Sequence, residues 1–297
     1  MTMHVPQTSI VVCAFNMERE LPRTLQSLSP AMQHGVSSTD YEIIVMDNGS
    51  ATPVEVRAVE QGGVNVRVIR LPPESMSPAR ALNRGIAAAR GELIGVLVDG
   101  ARIASPGVVA LARLAHRLSE RVVSLTLGFH LGTEVQMESV PRGYNQDEED
   151  QLLTASGWAE DGYRLFDISI FAGSSNGGWF KPITESNALF MHRDLWHELG
   201  GYDERFQTPG GGFVNLDTFA RAVELPEVTM VTLLGEGTFH QVHGGAATST
   251  LGVLIDRFQA EYLNVRGKPY TPPSYETLYF GRAHPSVLPS IEGSAGS

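Results

Sequence analysis

The chain has 297 residues, 42% hydrophobic and 19% charged, which suits a globular protein able to bury a sizeable core. Its formal charge is -11, from 22 Lys and Arg against 33 Asp and Glu, and this argues against nucleic acid or an anionic membrane as partner. The single cysteine, Cys13, excludes an intramolecular disulfide framework and reads as a small buried hydrophobe.

Residues 9–15 form an apolar run that stops at Asn16, the pattern of a strand buried on both faces. A helix is predicted over 18–28, with Leu21, Leu25 and Leu28 on one face. A second apolar run ends at Asp47-Asn48-Gly49-Ser50, with a helix expected over 54–60 and an alternating strand over 64–69. Ser77 and Pro78 stand where helix N-caps and first turns favour them, and that helix runs to 89 before Gly91. A strand over 93–98 ends at Asp99, a helix covers 106–118 and a fifth strand covers 122–127. Strands alternating with helices imply a parallel sheet with right-handed crossovers. Polar strand ends then converge at its carboxyl edge, where open α/β sheets bind ligands.

Residues 130–180 are rich in Gly, Ser and polar side chains. The acidic run 147–150 reads as the solvated start of a short helix near Gln151, where negative charge suits the dipole. The aromatics Trp158, Tyr163, Phe166, Phe171, Trp179 and Phe180 either line a sugar-acceptor groove or pack beneath a long loop. Regular structure resumes with a strand over 186–191, helices over 193–199 and 217–223, strands over 228–234 and 238–242, and a helix over 251–263. Residues 289–297 read as a frayed tail. No stretch is long and apolar enough to span a membrane, the start of the chain lacks a signal-peptide layout, and a cytoplasmic protein is the expectation.

From residue 8 to about 245 the chain resembles the GT-A-fold, family-2-type glycosyltransferases. The resemblance is carried by Ala14-Phe15-Asn16, by Asp47 with Ser50, by the helix bearing Arg80 and Asn83, by Arg90-Gly91-Glu92, and by the strand ending at Asp99. Glu185 to Phe190, Leu199 to Phe206, and His240-Gln241-Val242-His243-Gly244-Gly245 are similar to the family's acceptor strand, the turn after it and its late histidine segment. It implies a Rossmann-like, mostly parallel sheet flanked by helices. Residues 1–128 would form the donor-binding half, 129–250 the acceptor-side half, and 251–297 a terminal helix and tail. Ala14, Asn16, Asp47, Arg80, Asn83 and Asp99 are then the expected donor-binding residues, with Asp47 on the base or ribose. The partners would be a nucleotide-diphosphate sugar and a hydroxyl-bearing acceptor, with self-association left open.

Two departures bear on the chemistry. The family's Asp-x-Asp would begin at Asp99, but Ala101 stands at its second carboxylate. Either Asp99 holds Mn²⁺ or Mg²⁺ with His243 and His240, or Arg102 neutralises the diphosphate without metal. The acceptor base is also displaced: Asn215 occupies its position, and an amide is no base near neutral pH. Asp217 or Glu185 then takes the role, or the reaction is retaining, or catalysis is lost. The leading reading is an inverting, metal-assisted glycosyltransferase. A non-catalytic nucleotide-sugar or glycan binder is the alternative, and a nucleotidyltransferase is disfavoured because no Gly-rich basic loop follows the first strand.

Overall fold

The computed structural model describes residues 6–55, 65–243 and 251–295, with side chains from 254 in the last span. Ten strands share one sheet: β1 (Thr8–Ala14), β2 (Tyr41–Asp47), β3 (Val66–Arg70), β4 (Leu93–Leu97), β5 (Arg102–Ala104), β6 (Val122–Leu131), β7 (Ser169–Phe171), β8 (Ala188–His192), β9 (Thr229–His240) and β10 (Leu278–Gly281). The α-helices among the described residues are α1 (Leu21–Ser27), α2 (Ala79–Ala88), α3 (Val108–Ala115), α4 (Gln136–Ser139), α5 (Gln146–Ser156), α6 (Arg193–Leu199), α7 (Val214–Val223), α8 (Leu251–Arg266) and α9 (Leu288–Ala295).

The strand order is β10-β9-β6-β8-β4-β1-β2-β3, with β5 added on β9 and β7 on β6. Strands β4, β1, β2 and β3 are parallel, as are β6, β9 and β10. Between these blocks β8 runs antiparallel to both β4 and β6. The sheet is therefore mixed: two parallel blocks joined through one reversed strand.

Every residue of β1 and β2 is buried, as strands covered on both faces require. Alternate side chains feed two layers. Val11 and Ile44 pack with Leu82 and Ile86 of α2, while Ile10, Val12 and Ile43 pack with Leu21 and Leu25 of α1 and Val108 of α3. Each such burial contributes about 1.5–3 kcal/mol. The exit of α2 depends on Gly91, where a Cβ would lie 2.6 Å from the Thr8 carbonyl carbon.

Several expectations are corrected. Residues 54 and 55 are not helical, and 56–60 of the predicted helix lie outside the described residues. The two strands expected over 228–242 are one, β9, which passes through Gly235-Glu236-Gly237. Glu236 is tolerated inside it because the Ser105 hydroxyl, the Gly107 amide and the Tyr163 hydroxyl all donate to its buried carboxylate. Trp158, Tyr163, Phe166 and Trp179 are buried, and Phe166 and Trp179 pack on Phe129, so they build a core instead of a groove. The expected frayed tail is docked: Val287 is fully buried, α9 follows it, and Trp179 Nε1 donates to Ser290 Oγ at 2.9 Å. No helix among the described residues is long and apolar enough to cross a membrane.

Candidate donor and acceptor site

The ends of β1, β2 and β4 meet at one edge of the sheet. Ala14 lies opposite Asp47 in register, and β4 ends at Leu97, two residues before Asp99. The Cys13 thiol is pushed up to about 12 by burial first, then by the Asp99 and Asp47 carboxylates.

Three strands bring the histidines to Asp99. β5 sets Arg102 opposite His240, and β6 sets His130 opposite His240 on the other side. Asp99, His240 and His243 each offer a ligand atom, and these atoms lie within 4.8 Å of one another. Gln136 fixes the His240 tautomer. Its Nε2 donates to the His240 carbonyl at 2.8 Å, so its Oε1 is left to accept the His240 Nδ1 proton at 2.5 Å. The bare Nε2 then points at His243 Nε2, 3.1 Å away. Burial, then Arg102, His243 and His130, holds His240 well below the usual histidine range, so the ring is neutral. An oriented neutral imidazole beside a carboxylate suits a divalent cation.

Ala101 explains the missing second carboxylate. It is fully buried in the apolar cluster with Leu21, Leu25 and Val108. A carboxylate there would be desolvated at a cost of several kcal/mol. The Asp99 oxygens accept instead from the Ala101 amide at 3.0 Å and from Arg102 Nε at 3.1 Å.

Residues 241–243 are held from several sides. Gln241 N donates to the Ala101 carbonyl at 2.9 Å, Val242 N to Glu149 Oε2 at 2.8 Å, and Arg19 to the Val242 carbonyl at 3.2 Å. Glu149 corrects the reading of a solvated acidic run. Asp147 and Glu148 are exposed behind the Asn145 cap, but Glu149 is fully buried, bonds Arg19, and is raised by burial to about 7. Its signal was the 149/153 spacing, which puts it on the buried face with Leu153. Gln136 carried no such signal.

Among the expected donor residues, Asn16 has φ 52°, accepts from Ala51 N at 2.8 Å, and donates its own amide to Ser50 Oγ at 2.9 Å. Ala14 is buried, and its carbonyl accepts the Asn48 amide at 2.9 Å. Asp47 is fully buried, and its oxygens accept from Ser50 N at 2.8 Å and Val54 N at 3.3 Å, which braces the turn after β2. Arg80 is ion-paired with Glu74. Asn83 is corrected from the donor site: its amide exchanges two 2.8 Å bonds with the Tyr202 backbone and pins the turn after α6.

Residues 9–143 match the model of glycosyl transferase family 2. The chain has the GT-A fold, and this stretch is similar to glycosyltransferase family 2. Two curated validoxylamine A glucosyltransferases, from Streptomyces hygroscopicus subsp. limoneus and subsp. jinggangensis, are each 23% identical over 98% of the chain, which spans 59% and 64% of their lengths. Among solved structures, S. aureus TarS 1-349 in complex with UDP-GlcNAc is 15% identical with a TM-score of 0.54, covering 87% of this chain and 67% of that one. Mannosyltransferase PcManGT from Pyrobaculum calidifontis, in complex with GDP-Man and Mn²⁺, is 16% identical with a TM-score of 0.52, covering 99% and 70%.

Near the start of β8 and α7, the two carboxylates expected as the base differ. Asp217 is buried and clamped: Arg266 Nε meets Oδ1 at 2.5 Å, and Arg221 Nε meets Oδ2 at 2.8 Å. Both lone-pair directions face guanidinium groups, so the expectation of Asp217 as base is replaced by an ion-pair role. Glu185 precedes β8 at the same sheet edge as Asp99, and the Asn187 carbonyl accepts the Val98 amide at 3.3 Å. It is half-buried, and Asn215 Nδ2 donates to its Oε2 at 2.7 Å. Its Oε1 has no hydrogen bond among the described residues. The glycines ahead of α7 serve the backbone: Gly210, Gly211 and Gly212 have φ of 75°, 86° and 51°, and a Cβ on Gly211 would lie 2.8 Å from Pro78 Cδ.

Proposed function

We propose that this chain transfers a sugar from a nucleotide-diphosphate sugar to a hydroxyl acceptor, with inversion and with the help of a divalent cation. The Asp99–His240–His243 cluster at the carboxyl edge is the observation that carries this reading. One carboxylate and two imidazoles fit Mn²⁺ or Mg²⁺, with donor phosphate oxygens completing the shell. When bound, such a cation supplies positive charge for the departing diphosphate.

The chain's own residues supply the rest. Gln136 and Glu149 orient His240 and the segment leading to His243, and Arg102 adds a fixed cation beside Asp99. Glu185 accepts the acceptor hydroxyl proton as that oxygen attacks the anomeric carbon. The bond from that carbon to the diphosphate breaks, and its electron pair leaves with the nucleoside diphosphate. Asn215 holds one Glu185 oxygen and leaves the other to act. The half formed by residues 1–128 serves the donor and that formed by 129–250 the acceptor. The likeness to TarS and PcManGT, whose complexes hold UDP-GlcNAc and GDP-Man, supports a nucleotide-sugar donor.

A thermal-shift screen of UDP, GDP, TDP and their sugars, each with Mn²⁺ and with EDTA, tests the proposal. Stabilisation by one nucleotide family that depends on Mn²⁺ is expected, followed by release of that nucleotide on turnover. No stabilisation by any of them would overturn it.

A further inference from the structure

The opposite, amino-terminal edge of the sheet carries a second cavity, of about 440 Å³. Thr8, Arg90, Glu92, Arg113, His116 and Arg117 are among its lining residues. Arg113, His116 and Arg117 fall at i, i+3 and i+4 and so share one face at the end of α3. Arg90 comes from the turn between α2 and β4. Three arginines thus converge in a chain whose formal charge is -11.

Their pairing is incomplete. Arg113 meets Asp40 at 2.9 Å and Gln7 Oε1 at 2.8 Å, whereas the Arg90 and Arg117 side chains have no ion pair or hydrogen bond among the described residues. Two buried polar atoms behind the wall are also unsatisfied. Thr8 is 1% exposed and His116 is 8% exposed, yet Thr8 Oγ1 and His116 Nδ1 have no hydrogen-bond partner. A buried hydroxyl without a partner is destabilising. The charge on α3 suits the helix dipole, but a dipole asks neither for a cavity nor for an unpaired threonine beside it. Burial, and next the neighbouring His192, push His116 down to about 3, so the charge of the cavity comes from its arginines.

We propose that this cavity binds a small, multiply charged oxyanion, a phosphate ester or a polycarboxylate, at a site separate from the sugar-transfer edge. Arg90 and Arg117 supply the guanidinium forks that match such oxygens. Arg113 arrives held in place by Asp40. Glu92, the one carboxylate in the lining, keeps the cavity from being uniformly positive and selects ligands that carry a donor group next to the anion.

The test is calorimetric titration of the full chain in EDTA with inorganic phosphate and, in parallel, with citrate; the stronger binder identifies the oxyanion class. Arg90→Ala and Arg117→Ala, both at exposed positions, should each weaken that binding about tenfold. Asp99→Ala, at the other edge, should leave it intact. Absence of binding by both anions overturns the proposal. So does binding that Asp99→Ala abolishes while Arg117→Ala does not, which would move the anion to the donor edge.

Discussion

On the proposed donor side, the polar groups that end β1 and β2 bond mainly to backbone: Asp47 takes the amides of Ser50 and Val54, and Asn16 takes that of Ala51. On the acceptor side, charged side chains reach between distant helices, with Arg266 of α8 closing on Asp217 of α7. The first arrangement builds a rigid wall from side chains that hold backbone amides. The second sorts two carboxylates into different roles, since two guanidinium groups hold Asp217 while one amide holds Glu185. The lesson is that a carboxylate's place in a motif does not fix its chemistry; its partners do.

The sharpest way to break this comparison is to neutralise each carboxylate. Glu185→Gln should cut turnover by about a hundredfold to ten-thousandfold while donor affinity and the unfolding midpoint stay as in the parent. Steady-state transfer kinetics with the donor found by screening check this, and near-normal turnover would remove Glu185 as base. Asp217→Asn should act on the fold instead, lowering stability by about 3 kcal/mol because Arg221 and Arg266 lose their shared partner. Urea unfolding measures it; a stable but inactive variant would restore Asp217 to the chemistry.

The donor side was the more legible. Both faces of β1 and β2 are buried, so their residues had to be apolar, and the runs ending at Asn16 and Asp47 announced where the edge lies. The Asp99, His240 and His243 set could be assembled from a resemblance, and the structure brings it together. Ala101 needed the structure, because only packing shows that position 101 faces the core. Asp217 was misleading for a related reason: Arg266, which holds it, lies 49 residues away on a helix whose placement no local pattern reveals. Glu149 and Glu236 were hidden likewise, since burial of an acid depends on distant donors.

A third expectation sharpens the donor side. His243→Ala should weaken binding of a nucleoside diphosphate about tenfold or more and leave the free nucleoside unaffected. Calorimetry with both ligands decides, and equal losses would assign His243 to folding.

The smallest effect concerns pH. His116 and His130 are pushed by burial from an ordinary 6.5 to about 3 and about 4, and His240 also lies well below 6.5. Below 6.5 the unfolded chain binds protons that the folded rings refuse, so these residues make stability fall as pH drops. Glu149 and Glu236, raised by burial from 4.5 to about 7, act oppositely: between those values the folded chain keeps protons that the unfolded chain has lost. Three histidines against two glutamates leave a shallow net rise in stability from about pH 4.5 to 6.5. Urea midpoints across that window check it: His130→Asn should flatten the rise and Glu149→Gln should steepen it. A midpoint that falls with rising pH would contradict the burial of the histidines.

The central claim is that Asp99, His240 and His243 hold the cation that meets the donor diphosphate. Titration of the chain with UDP in Mn²⁺ and in EDTA, repeated on His240→Ala, tests it most directly. The expected result is binding in Mn²⁺ that weakens at least about tenfold in EDTA, with the variant giving the weak value in both buffers. Equal affinity in Mn²⁺ and EDTA, unchanged by His240→Ala, would contradict it.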